Sequence, residues 1–277
     1  MDLNLKGQRI LVVGASEGIG HATAATLAAE GAAVTLVARH AASLQAAAQR
    51  IEQTTGQAVE VLTADVTQAQ DIVALEAAWR THGHALDALV IATGGSHRAR
   101  FEELSDEAWA ANYEYNVLGG VRLVRAFLPH LRRANAASVL FFGGAAAKMP
   151  YPNQVVSNVH KAGLLALTKT LAAELAPERI RVNAICPGRT LTRLWRDRAG
   201  ALAQQEGVSE QVVIERFAEE ILAGRFADPQ EIADVAAFVL SPRASYIVGQ
   251  SINVDGGIAR GLPVSYTHLR AHETRGN

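Results

Sequence analysis

Arg9-Ile10-Leu11-Val12-Val13 runs straight into Gly14-Ala15-Ser16-Glu17-Gly18-Ile19-Gly20. The first five residues form a short apolar run, as expected of a strand buried on both faces. The glycines behind it permit a tight turn and a close backbone approach to a phosphate. Ile19 opens a helical pattern, whose N-terminus offers free N–H groups and a positive dipole end to an anion. Gly14, Ser16, Glu17, Gly18, Ile19 and Gly20 are therefore a candidate phosphate loop. Glycine-rich turns are common. Position between a strand and a helix, at the start of the chain, gives this one its weight.

The same alternation continues outward from this loop. Further strands are expected at Ala33–Ala38, Ala58–Thr63, Leu86–Ile91, Ser138–Phe142, Ile180–Ile185 and Ser251–Val254. Helical patterns lie between them, at Ile19–Glu30, Ala41–Thr55, Ala69–His82, Asp106–Arg133, Val155–Ala176 and Gln230–Leu240. Short apolar strands alternating with helices imply an α/β fold, with a seven-stranded parallel sheet, right-handed crossovers and helices on both faces. This is a single Rossmann-type, doubly wound domain over residues 1–262. No linker divides it and no repeat occurs in it. The charged helical stretch Leu191–Gly224 reads as a lid.

The chain has 277 residues, of which 49% are hydrophobic and 19% charged, so it is neither disordered nor fibrous. A net charge of -1 gives no reason to expect nucleic acid or an anionic membrane. One cysteine, Cys186, excludes an internal disulfide framework and a cysteine-based zinc cluster. The nine histidines lack metal-ligand spacing, so no metal is expected. With neither a signal-like N-terminus nor an apolar run of roughly 20 residues, a cytoplasmic location is the expectation. Residues 263–277 read as a disordered tail or as the translation of a transposon-type sequencing adapter.

The spacing Gly-x-x-x-Gly-x-Gly resembles the short-chain dehydrogenase/reductase family, over about residues 5 to 258. Asp65-Val66 follows the third strand, where the family meets adenine. Asn116 and Lys161 stand at two of its catalytic positions. Pro187-Gly188 matches the segment beside the nicotinamide, Thr192 matches its threonine, and Val254-Asp255-Gly256-Gly257 matches its closing strand. The resemblance implies hydride transfer between a nicotinamide and a ketone or alcohol substrate. It also implies a homotetramer or homodimer paired through the helical stretches Asp106–Arg133 and Val155–Ala176.

The second strand ends at Ala38 and is followed by Arg39, with no carboxylate to hold a ribose 2′-hydroxyl. Arg39 can pair with a 2′-phosphate instead, which points to NADP. Glu17 weighs against that choice, NAD stays open, and a solvated loop arginine is the plainer reading.

The family's proton chemistry uses a Tyr four residues before the Lys and a Ser thirteen residues before that Tyr. Here those positions are Ser157 and Gly144. A serine hydroxyl is shorter than a phenol and less acidic, and glycine offers no hydroxyl. Losing positioned acid–base chemistry costs about 10²–10⁴ in rate. Lys148, Pro150, Pro152-Asn153 and Ser157-Asn158 together resemble a divergent 3-oxoacyl-(acyl carrier protein)-reductase-like subgroup.

Catalytic candidates are thus Asn116, Lys161, Ser157 and Tyr151, the last in a proline-flanked loop from which it can swing toward substrate. Tyr151 otherwise packs as a wall residue. Lys148 reads as a surface charge or subunit contact, His160 as a helix-face residue turned away from Lys161, and Cys186 as a buried apolar residue. Two functions follow: an NADP-dependent ketone reductase with an unusual proton source (Tyr151 or a water held by Lys161), or a nucleotide-binding sensor or partner subunit without redox turnover. A lyase or isomerase on the same fold is also open.

Overall fold

The computed structural model describes residues 1–261 apart from His82, His84 and Ser96. Leu262 and the tail 263–277 lie outside the described residues, as does the expected end of the third helix at His82. Seven strands form one sheet: β1 (Arg9–Val13), β2 (Ala33–Ala38), β3 (Glu60–Thr63), β4 (Ala88–Ile91), β5 (Ala137–Phe142), β6 (Ile180–Pro187) and β7 (Ser251–Val254). Their order is β3-β2-β1-β4-β5-β6-β7 and every pairing is parallel. All six residues of β5 and all four of β4 are buried, which explains why these strands read as continuous apolar runs rather than alternating ones.

The helices are α1 (Gly18–Ala29), α2 (Ala41–Thr55), α3 (Ala69–Thr81), α4 (Asp106–Tyr113), α5 (Gly119–Leu131), α6 (Val155–Leu175), α7 (Arg193–Glu206), α8 (Glu210–Ala218) and α9 (Pro229–Leu240). One apolar core packs α1, α2 and α9 against one sheet face, and a second packs α3, α5 and α6 against the other. Asp228 and Glu231 close a reciprocal capping box at the start of α9, a device worth about 1 kcal/mol.

The single helix expected over Asp106–Arg133 is instead two helices joined by a π-turn at Glu114–Leu118. The wider turn brings Asn116 into the interior, where it is buried. Such π-turns arise often at functional sites. Strand edges also shifted: β3 and β4 each begin two residues later than expected, and β6 runs on to Pro187.

Candidate functional site

The strand order reverses between β1 and β4, which leaves a crevice beyond their C-terminal ends. A groove of about 490 Å³ and a cavity of about 270 Å³ meet there, sharing Ile19, Ala92, Thr93, Gly94, Thr192 and Leu194 as walls.

The groove is built by backbone contact. Gly14 has φ 88°, and a Cβ on it would lie 2.8 Å from the carbonyl carbon of Ala92. A Cβ on Gly20 would lie 2.2 Å from the Gly14 oxygen. Only glycine fits at either position. Glu17, the N-cap of α1, makes no side-chain capping hydrogen bond, unlike Ser105, Ser209 and Asp228 at the starts of α4, α8 and α9. The first turn of α1 thus keeps its N–H groups free of a side-chain cap, as an incoming phosphate requires. The carboxylate of Glu17 instead pairs with Arg193 at 3.3 Å, joining the loop to the start of α7. Ser16, Gly18 and Arg39 also line the groove, and the Arg39 guanidinium lies 5.9 Å from the Tyr115 ring centre.

Val66 and Ala64 form the groove wall after β3. Asp65, expected to meet adenine, spends one oxygen on its own turn, accepting from the Thr67 N–H at 2.9 Å and the Thr67 hydroxyl at 2.8 Å. These residues fit a dinucleotide: a glycine turn, an uncapped helix start and an arginine at the end of the second strand.

The cavity is lined by Lys161, Ser157 and Tyr151, and the fourth candidate, Asn116, is buried beside Gly94 of its wall. Lys161 and Ser157 are four apart on α6, so they share a face and both line it. The Lys161 ammonium donates to the Phe142 carbonyl at 3.3 Å, and burial lowers its pKa to about 8. A Cβ on Gly94 would stand 2.8 Å from Lys161 Nζ and 3.1 Å from Asn116 Oδ1, so glycine is required for these two groups to sit this close. Asn116 Oδ1 accepts from the Gly95 N–H at 3.0 Å, and its amide donates to the Asn112 carbonyl and to Asn112 Oδ1, each at 3.0 Å.

Sequence reasoning missed two members of this network. Asn112 Oδ1 lies 2.8 Å from His160 Nδ1, and the His160 ring packs edge-on against Trp109 and Tyr113. His160 is therefore a buried brace of the π-turn rather than a plain helix-face residue. Burial, then the Lys161 cation, lowers its pKa, which favours the neutral ring. The signal was available as the spacing of Asn112 and Asn116, but nothing in the sequence announces the π-turn that aims them.

Tyr151 lines the cavity half-buried, but it is held at its backbone: its N–H donates to Asn158 Oδ1 at 3.3 Å, and Asn158 Nδ2 donates to its carbonyl at 2.9 Å. This clamp fixes the backbone from which the phenol is presented to the cavity. Burial pushes the phenol pKa up, making it a weaker acid than a free tyrosine. Lys148 is tied within the chain to the Ser251 carbonyl and to Asn253 Oδ1. Cys186 is buried, and burial raises its thiol pKa. Pro187 and Gly188 line the cavity, and a Cβ on Gly188 would stand 2.7 Å from the backbone of Asp255. Thr192 lies where groove and cavity meet, at the start of α7, and Trp195, Phe217 and Phe226 belong to one small apolar cluster.

Among the described residues no cluster of His, Cys, Asp and Glu is suited to a metal, and no helix is long and apolar enough to cross a membrane.

The family model described as enoyl-(acyl carrier protein) reductase matches residues 14–259. The chain is 34% identical over 254 residues to the 2-keto-3-deoxy-L-fuconate dehydrogenase of Xanthomonas campestris pv. campestris, covering 91% of this chain and 80% of that one. Its structure resembles L-sorbose reductase from Gluconobacter frateurii, solved with NADPH and L-sorbose (TM-score 0.91, 33% identity, 95% of this chain and 100% of that one). It also resembles an NADPH-bound short chain oxidoreductase from Pseudomonas aeruginosa PAO1 with an atypical catalytic center (TM-score 0.85, 30% identity, 93% and 100% covered). These relatives are dehydrogenases and reductases, which lends no support to a nucleotide-binding protein without turnover.

Proposed function

The chain belongs to the short-chain dehydrogenase/reductase family, and from that premise we propose that it is an NADP-dependent oxidoreductase interconverting a ketone and an alcohol. The observation that carries this reading is the continuity of the cleft: the glycine groove opens directly onto the cavity lined by Lys161, Ser157 and Pro187-Gly188. The NADPH bound in the similar reductases supports NADP, as does Arg39 at the groove edge, placed for a 2′-phosphate. Gly14, Ser16, Gly18, Ile19 and Gly20 would hold the pyrophosphate, Val66 the adenine, and Pro187, Gly188 and Thr192 the nicotinamide end. Bound NADPH supplies the hydride.

The protein's own task is the proton. In reduction the carbonyl oxygen gains negative charge as hydride arrives and must be protonated. Lys161, with a pKa of about 8, is charged at neutral pH and is acidic enough to give that proton, directly or through a water. Tyr151, its phenol weakened as an acid, forms the wall. Ser157 would orient the carbonyl, a role supported by its position in the cavity wall. Asn116 fixes the Gly95 backbone beside Lys161. In oxidation neutral Lys161 takes the proton back. The missing tyrosine and the segment from Pro150 to Asn158 favour the divergent 3-oxoacyl-reductase-like subgroup. Exposed Tyr113 and Val159 on α4 and α6 favour a homodimer or homotetramer paired through those helices.

The test mixes the protein with NADPH and a panel of 3-oxoacyl thioesters and simple ketones, following nicotinamide fluorescence. Binding followed by its decay supports the reading. Binding with no decay across the panel restores the sensor, and absent binding removes the cofactor assignment.

A further inference from the structure

Three side chains lining the cavity carry charge among the described residues: Arg98, Lys161 and Arg189. All three are cationic. The remaining wall is largely apolar, with Phe142, Ala145, Pro187 and Leu194 prominent. Arg189 is 9% exposed; its guanidinium pairs with Glu220 at 2.5 Å, donates to the Phe217 carbonyl, and lies 4.8 Å from the Phe217 ring centre. Behind it, Arg198 lies 4.3 Å from the Trp195 ring centre. Glu220 is thus the carboxylate shared by this group. Arg98 extends from the loop after β4 and forms no ion pair among the described residues.

Gathered guanidiniums repel one another where water is scarce. The effect is visible in Arg98, whose pKa is lowered by burial and then by Arg189, and in Arg198, lowered to about 10 by burial and then by Arg98 and Arg189. An anion in the cavity removes that repulsion, and a guanidinium fork matches an oxoanion through two parallel hydrogen bonds.

We propose that the substrate is an oxo compound carrying an oxoanion, carboxylate or phosphate, gripped by Arg98 with Arg189 beside it in the cavity wall. This rests on the oxidoreductase reading for its reactive carbonyl, but the anion grip stands on the cavity itself. The cavity volume of about 270 Å³ sets the scale at a small molecule rather than a long acyl chain.

The experiment uses matched probes. Reduction of 2-, 3- and 4-oxopentanoate is compared with that of their methyl esters, and reduction of dihydroxyacetone phosphate with that of dihydroxyacetone. In parallel, the melting temperature is followed with glutarate, against sodium chloride of equal ionic strength, in wild type and Arg98→Gln. The expected result is a preference of about 10–100-fold in kcat/KM for at least one anionic member over its neutral partner, from charge-assisted hydrogen bonds. That ratio collapses in Arg98→Gln through KM, and glutarate stabilises wild type more than the variant. The carboxylate and phosphate pairs tell which oxoanion is meant. Equal rates on charged and neutral partners, or a ratio that survives Arg98→Gln, overturn the proposal. A glutarate shift that depends on Arg98 without turnover of any ketone leaves the grip standing and overturns the oxidoreductase reading. If turnover is also absent and the glutarate shift is the same in both proteins, both fall.

Discussion

The two ends of one cleft obey different rules. At the nucleotide end, the backbone does the work. Side chains on Gly14 or Gly20 would lie 2.2 to 2.8 Å from neighbouring main-chain atoms. At the chemical end, a Cβ on Gly144 would meet nothing within 4 Å, and Ser157 stands where a larger side chain is expected. Sterics leave the first end no freedom. The second end is set by which functional groups are present, so it can lose two of them without disturbing the fold. Under the proposed function, a buried lysine with a lowered pKa carries the proton instead.

The largest expected effect tests that replacement. Lys161→Met folds, yet its kcat for ketone reduction falls by about 10²–10⁴, the usual worth of a positioned proton donor. A fall of less than tenfold, measured by NADPH decay, would move the proton source elsewhere. The nucleotide end is tested next by Gly20→Ala. Its methyl forces the turn off the Gly14 oxygen and withdraws N–H donors worth about 1.5–3 kcal/mol each to a charged phosphate, so NADPH binds at least about 100-fold more weakly in a fluorescence titration. Unchanged binding would mean that the groove is not the phosphate site.

A smaller change separates the cofactors. Arg39→Ala lowers the preference for NADPH over NADH by about 10-fold or more through loss of one charge-assisted contact. Equal loss for both nucleotides would leave Arg39 without a role in selection. Restoring the absent groups is the reverse experiment. Gly144→Ser, at a position where a Cβ meets nothing within 4 Å, together with Ser157→Tyr on the cavity wall, raises kcat on simple ketones by about 10-fold. A slower double variant would show that the carbonyl sits elsewhere in the cavity. The smallest effect belongs to Tyr151→Phe, which keeps kcat within about threefold, because a wall residue loses only its hydroxyl.

The fold was legible because its signals are local. β1, β2 and β7 have the bounds their apolar runs suggest, and α2 runs from Ala41 to Thr55 as its pattern implies. The glycine turn between β1 and α1 was legible for the same reason, since strand, turn and helix are consecutive in the chain. The chemical end was only half legible. Lys161 and Asn116 were singled out by motif and lie together beside Gly94, but the π-turn that aims Asn116, the His160–Asn112 brace and the clamp on Tyr151 depend on segments 7 to 48 residues apart. Arg98 and Arg189 are 91 apart in sequence and meet at the cavity wall only through the crossovers. No spacing rule reports such a meeting.

The most direct measurement is the pH dependence of single-turnover hydride transfer from NADPH to a reduced panel of ketones, from mildly acidic to alkaline solution. Lys161 must carry its proton to act as the acid, and its pKa is about 8. The rate of reduction is therefore expected to be level below that pH and to fall above it, while the reverse oxidation rises over the same range, and Lys161→Met abolishes both limbs. A rate of reduction that stays level through that range, or limbs that persist in Lys161→Met, would contradict the account.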